Sequence, residues 1–240
     1  MVNAKHISSA SPVNVIMPVK DSLQTAEEAI RAIVASGYTL TVYDDYSTSE
    51  NALLLDTWSK ELGFQVIHIS EKINHPSPNY RWVLIEAQHE AIRHDQHLVI
   101  IESDVIVQAH TIDRLLTSVT PQTGLVAAVT HDEQGIINFP YEYARHIQAD
   151  GMCKKRLSFC CTLLTKDFLR AYDFAQLDSE KNWHDVTISH VSKQLGFENI
   201  LQISNPVLHK PHSSRPWKQL KYTNPLLYYW RKITQHRDKI

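Results

Sequence analysis

Short apolar, β-branched runs alternate along the chain with stretches whose apolar residues recur at helical spacing. Residues 13–19 (VNVIMPV) read as a buried strand, and Ala26, Ala29, Ile30, Ile33 and Val34 then share one helical face until Gly37 stops it. The pair repeats: strand 38–43 with helix 51–62 closed by Gly63, then strand 64–69 with helix 79–94 after the proline-broken loop INHPSP. Strand 97–101, helix 111–119 and strand 125–130 complete the series. Strand and helix in this rhythm form βαβ units, which predicts an α/β fold: a mostly parallel central sheet with helices on both faces. Beyond residue 130 the pattern loosens. It predicts a hairpin around 132–135, a strand over 157–164, a helix opening near Asp185 and a strand at 200–203.

Composition narrows the class. Of 240 residues, 43% are hydrophobic and 21% charged, an ordinary globular balance with length for a substantial core. No apolar run approaches the roughly 20 residues of a membrane-spanning helix, and the opening MVNAKHISSASP lacks a hydrophobic signal core. Three cysteines, two of them adjacent (Cys160 and Cys161), argue against a disulfide framework and for a reducing, cytoplasmic setting. No CxxC occurs and the 14 histidines show no zinc-site spacing, so a zinc centre is not expected. With a formal charge of -2 and no basic patch interleaved with aromatics before the C-terminus, a nucleic-acid partner is not expected either.

Charge is unevenly spread. From Arg215 onward seven basic residues face one acid, a net +6, which leaves -8 on residues 1–214. Trp217, Leu220, Leu226, Leu227, Tyr228, Tyr229, Trp230 and Ile233 mix with that basic charge, and Pro225 interrupts any single long helix. This predicts a C-terminal helical appendage over 215–240, which either lies on an anionic membrane surface or packs on the domain or a second copy.

In open parallel sheets, ligands bind beyond the carboxyl ends of the strands. Here those ends carry Pro18 to Asp21, Asp44 with Asp45, and Glu102 to Asp104. Acidic groups at three strand ends repel one another unless they hold a cation or hydrogen-bond donors. After Val19 comes KDSLQTAEE, without a glycine, so a glycine-rich phosphate loop is absent. A divalent metal on the acidic loop is the natural alternative for holding a diphosphate. Taken singly, each acid reads more simply as a solvated loop or helix-cap residue.

In order, the blocks VNVIMPVKDS, VYDDYSTSEN, LVIIESDVIV and NWHDVTISHVSKQLGF resemble the family-2-type, inverting glycosyltransferases with a GT-A fold. The resemblance covers most of the chain, from about Val13 to His212. It implies a GT-A-like domain over 1–214, with a nucleotide-binding half at about 13–130 and an acceptor half at about 131–214. It further implies a nucleotide-sugar donor, UDP-linked by family frequency, and a saccharide or lipid-linked hydroxyl acceptor, as in cell-surface polysaccharide or glycolipid synthesis. Nucleotide contacts fall to Pro18, Val19, Asp44, Asp45 and Ser103; Arg81, on the helix after the proline loop, is a cation able to meet the diphosphate, with a solvent-exposed role the plainer reading. Asp104, Glu102 and His209 would hold a metal, Mg or Mn by the hardness of oxygen donors, with His209 a better match than His212. Asp185 would be the catalytic base, in a first helical turn where the macrodipole favours the anion; the plainer alternative is an N-cap.

Four departures stand out: Glu102 for the usual leading aspartate, Tyr46 where glycine is common, His184 for glutamate, and LSFCCTLLT for a glycine-rich acceptor loop. They support an alternative, a catalytically silent nucleotide-sugar-binding or scaffold protein on the same fold. A nucleotidyltransferase fits less well, since its glycine- and lysine-rich triphosphate loop is not present.

Overall fold

A computed structural model of the chain describes residues 12–180, 183–210 and 224–234. The chain separates into two compact units, Met1–Lys210 and Pro211–Ile240.

The first unit is built on nine described strands: β1 (Val13–Val19), β2 (Leu40–Asp44), β3 (Gln65–His68), β4 (His97–Ile101), β5 (Val105–Ile106), β6 (Thr123–His131), β7 (Gly151–Met152), β8 (Cys161–Leu164) and β9 (Glu198–His209). Its helices are α1 (Leu23–Ala35), α2 (Ser49–Leu62), α3 (Tyr80–Arg93), α4 (Thr111–Thr117), α5 (Lys166–Ala171) and α6 (His184–Gln194). The sheet runs in the order β3-β2-β1-β4-β8-β6-β9-β5, with β7 on β9. Strands β3, β2, β1, β4, β6 and β9 point one way; β8, β5 and β7 oppose them. The mostly parallel α/β sheet expected from the periodicity is therefore the one observed.

Strand pleating explains the two-sided core, because successive side chains point to opposite faces. Val13, Val15, Met17 and Val19 of β1 pack with Ala26, Ala29, Ile30 and Ile33 of α1, Leu55 of α2 and Ile112 and Leu115 of α4. Ile16, between them, joins the opposite layer with Val83, Leu84, Ala87 and Ala91 of α3, Phe168 of α5 and Ile188 of α6. β4 divides likewise: Val99 and Ile101 on one face, Leu98 and Ile100 on the other. Gly124 lets α6 come down onto β6, since a Cβ there would meet Ser192 Oγ at 2.2 Å and Phe197 Cβ at 2.8 Å.

The second half departs most from the sequence pattern. The strand expected over 157–164 is hydrogen-bonded as β8 only at Cys161–Leu164, antiparallel between β4 and β6. The expected hairpin is a turn closed by the Asp132 N–H on the Ile136 carbonyl (3.0 Å), with a single bridge from His131 to Ile137. The strand expected at 200–203 extends over the 12 residues of β9, whose pairing with β6 is interrupted between Ala128 and Thr130. That interruption lets the far end of β9 continue to β5, where His209 pairs with Val105.

In the second unit one helix is described, α7 (Pro225–Thr234), with Leu226, Tyr229 and Trp230 exposed. The Asn224 carboxamide oxygen accepts the Leu227 N–H at 3.1 Å and starts it. His212, Arg215, Trp217, Lys218, Leu220, Lys221, Arg237, Asp238 and Lys239 lie outside the described residues, as do residues 1–11. Among the described residues no helix is long and apolar enough to cross a membrane.

Candidate active site

β1 and β2 run in parallel with Val19 opposite Asp44, so both strands release the chain at the same end of the sheet. The turn after β2 is folded by its own polar groups. Asp21 accepts the Thr48 N–H (2.8 Å) and the Asn51 amide (2.9 Å), while Ser47 Oγ accepts the Asp21 N–H (3.0 Å). Tyr46 sits at φ 60, in the left-handed region where glycine costs least, and is held by its hydroxyl. That hydroxyl donates to the Ile73 carbonyl (2.5 Å) and accepts the His75 N–H (3.2 Å).

Asp44 and Asp45 are adjacent yet occupy different surroundings. Asp44 is 2% exposed. One oxygen accepts the Ser47 N–H (3.1 Å) and the other lies 2.7 Å from His68 Nδ1, whose Nε2 is 3.0 Å from Asp56. Burial pulls the His68 pKa down, but the two carboxylates outweigh it and raise it overall, as an imidazolium between two anions requires. Asp45 points to the start of α3, where it accepts the Ser77 hydroxyl (2.7 Å), the Asn79 N–H (2.9 Å) and the Asn79 carboxamide (2.7 Å). Pro18 and Val19 line the same edge, and the Val19 carbonyl accepts the Asp45 N–H at 2.8 Å.

The start of α3 ties this region to the start of α6. Next to Asn79, the Tyr80 ring lies 6.4 Å from Phe159 and 6.2 Å from His184, centroid to centroid. Arg81 donates to the carbonyls of Leu177 (2.7 Å) and Ala175 (2.5 Å), bracing the segment that leads into α6. Burial, then the Arg81 charge, lowers the His184 pKa. Asp185 is the second residue of α6, not its N-cap, which is Trp183. Its carboxylate pairs with Arg156 at 2.8 Å. Leu157 is locked to α6 by both its N–H and its carbonyl on Ser189 Oγ (3.0 and 3.1 Å).

Four peptide steps further, the same segment reaches Cys160, so Arg156 and Cys160 are at most about 14 Å apart Cα to Cα. Ile101 of β4 pairs with Cys161 of β8, and the Glu102 N–H donates to the Cys160 carbonyl (3.0 Å). Antiparallel pairing thus sets Cys160 beside Glu102, and its sulfur lies 3.4 Å from Glu102 Oε2. His209, at the end of β9, completes a group in which Glu102, Cys160 and His209 each offer one ligand atom, all within 4.8 Å of one another. Asp104, 1% exposed, joins at the His209 edge, with its Oδ2 3.2 Å from Nε2. Ser103 is buried between the two acids.

The donor chemistry of this group fits a divalent cation. Nδ1 of His209 lies 2.7 Å from the Phe139 carbonyl, which can only accept, so Nδ1 carries a hydrogen. Nε2 then faces Asp104 either as the N–H of an imidazolium or as a lone pair sharing a cation with that carboxylate. Burial lowers the His209 pKa, but Asp104 and Glu102 outweigh it and raise it. Burial, with the charge of Glu102 next, pushes the Cys160 thiol well up.

The structure therefore brings Glu102, Asp104 and His209 together, pairs Asp185 of α6 with Arg156 on the segment that leads to Cys160, and ties Asp45 to the start of α3 through Asn79. Asp44, Asp45 and Arg81 are all engaged with the protein's own groups. Cys160, Arg156 and His68 were not singled out by the sequence pattern. A spacing argument against cysteine ligands looks along the chain, whereas Cys160 arrives across the sheet.

No family model matches the sequence, and no curated protein matches it. Solved structures do. S. aureus TarS 1-349 aligns at a TM-score of 0.64 and 12% identity, covering 88% of this chain and 63% of that one. GalNAc-T7 with UDP, GalNAc and Mn2+ aligns at 0.56 and 14%, covering 83% and 44%. Glucosyl-3-phosphoglycerate synthase from Mycobacterium tuberculosis, in complex with phosphoglyceric acid, aligns at 0.51 and 13%, covering 87% and 74%. The chain spans less than two thirds of the first two. Its fold is the GT-A glycosyltransferase fold.

Proposed function

We propose that this chain is an inverting glycosyltransferase, moving a sugar from a nucleotide-diphosphate sugar to a hydroxyl acceptor in a single displacement. The observation that carries the reading is the cation-type group of Glu102, Cys160 and His209, with Asp104 against His209, at the end of β4 in a GT-A sheet; the first-turn carboxylate Asp185 is held by Arg156, four residues before Cys160. Asp185 takes the acceptor proton as the new bond forms, because a neutral hydroxyl is a weak nucleophile. Arg156 orients that carboxylate through the 2.8 Å pair. Pro18, Val19 and Asp45 are assigned to the nucleotide edge, and Ser103, buried between Glu102 and Asp104 in the chain, to the same donor site. Asp44 and Arg81 serve that edge indirectly, the first by shaping the turn through Ser47 and His68, the second by holding the 175–177 segment. Asp104, Glu102 and His209 would hold a divalent cation, Mg or Mn, which would supply neutralising charge for the diphosphate leaving group.

UDP is the favoured donor nucleotide, supported by the GalNAc-T7 structure, whose ligands are UDP, GalNAc and Mn2+. Thermal-shift titration with nucleoside diphosphates and their sugars tests this directly. Stabilisation of the full chain by a UDP-sugar that is larger with Mn2+ than without it supports the reading. No shift with any nucleotide sugar, with or without metal, refutes it.

The Arg156–Asp185 pair and the three donors on Asp45 also suit the silent alternative, a protein that binds the donor without turning it over. Acceptors of the saccharide or lipid-linked class are proposed on the fold's chemistry, in the cytoplasm or on the inner face of a membrane. Exposed Leu226, Tyr229 and Trp230 on α7, within the basic 215–240 segment, support membrane contact. Co-sedimentation of the full chain with anionic liposomes, lost on truncation before Pro216, is expected; equal sedimentation of both proteins ends that idea.

A further inference from the structure

We propose that Cys160 is itself a metal ligand, so that this cluster takes a borderline divalent ion such as Zn2+ or Co2+ in preference to Mg2+. Three observations carry the assignment. Glu102, Cys160 and His209 each present a ligand atom within 4.8 Å of the other two, a span one ion can bridge. The sulfur is buried and already lies 3.4 Å from Glu102 Oε2, which places it inside the oxygen and nitrogen set. His209 Nδ1 is fixed on the Phe139 carbonyl at 2.7 Å, the outer contact that orients an imidazole with its other nitrogen toward a metal.

A sulfur, nitrogen and carboxylate set differs in kind from an all-oxygen one. Mg2+ demands oxygen donors and keeps its waters, whereas thiolate and imidazole suit Zn2+ and its neighbours. Binding breaks the Cys160 S–H bond, releases the proton to solvent and forms a metal–sulfur bond, with no change of oxidation state. Cys161, one residue on, is not in the ligand group; it packs in the core, and burial pushes its thiol up to about 12. The identity of the preferred ion rests on the proposed reading of this site as the metal end of the donor cleft, but its test uses the metal alone.

The full chain, stripped with chelator, is titrated with Co2+ and followed by absorption, because a cobalt–thiolate bond gives a near-ultraviolet charge-transfer band that oxygen and nitrogen ligands do not. The band is expected in the wild type and in the double variant Cys153→Ser/Cys161→Ser, whose one remaining thiol is Cys160. It is expected to vanish in Cys160→Ser, with circular dichroism showing that variant folded. Zn2+ affinity should fall at least about tenfold in that variant, the lower end of what loss of even an outer-shell partner costs. Absence of the band in the wild type, or in a double variant that circular dichroism shows folded, overturns the assignment, as does its persistence in Cys160→Ser. Absence in the wild type does so whether or not either variant folds. Sugar transfer with Mg2+ and no thiolate band would sink this proposal while leaving the glycosyltransferase reading intact; the band without any turnover would do the reverse.

Discussion

Asp185→Asn is expected to lose sugar transfer almost completely, with kcat down about 10²- to 10⁴-fold, the range a positioned general base contributes. The substitution keeps the size of the side chain and its place in the first turn of α6. It removes only the charge and the proton-accepting power. Its pairing with Arg156 is part-exposed on the Arg156 side, so the cost to stability should not exceed about 1 kcal/mol. Donor affinity should stay close to wild type, because Asp45 is held by Ser77 and Asn79 whereas the Asp185 carboxylate is held by Arg156, and these contacts share no partner. The measurement is a steady-state kcat and KM for the donor, alongside a donor Kd by calorimetry. Wild-type kcat in the Asp185→Asn variant would show that Asp185 is a surface residue of the helix start. A wild-type protein that binds donor tightly, yet turns over no acceptor, would favour the silent alternative.

The second large effect is expected at Asp104. Its carboxylate is 1% exposed and lies 3.2 Å from His209 Nε2, so Asp104→Asn removes a buried charge without changing the packing volume. A metal contributes several kcal/mol of charge stabilisation to a departing diphosphate, which corresponds to a loss of about 10²- to 10³-fold in kcat/KM. Chelation of the wild type should produce a loss of similar size. In the variant, chelator should have little further effect, since the same contribution cannot be lost twice. Transfer that continues unchanged in EDTA, or a full rate in the Asp104→Asn variant, would defeat the cation-based reading. The variant should also relieve the lift that Asp104 exerts on His209, so the imidazole pKa is expected to fall, observable as a shift of its ring-proton titration.

The legible part of this protein is the part governed by local rules. The apolar periods of 2 and 3.6 marked β1, α1, α2, α3, β4 and β6 to within a few residues. They did so because each element's buried face is set by its own side chains. Acidic residues at the ends of β1, β2 and β4 were readable as a ligand-binding end for the same reason: once the strands are parallel, their carboxyl ends must coincide. Orientation, by contrast, is a non-local property. Nothing in CTLL reveals that β8 runs antiparallel between β4 and β6, and without that pairing Cys160 has no reason to stand beside Glu102. Nor does the composition of β9 show that it continues past an interruption to deliver His209 to Asp104, 105 residues away in sequence. The difference between Asp44 and Asp45 was equally hidden. Two adjacent carboxylates are alike as letters, and only packing decides that one is buried against His68 while the other reaches the start of α3. Period and residue type specify which atoms are available. The desolvation and hydrogen-bond geometry that turn those atoms into a site come from contacts made only when distant strands pair.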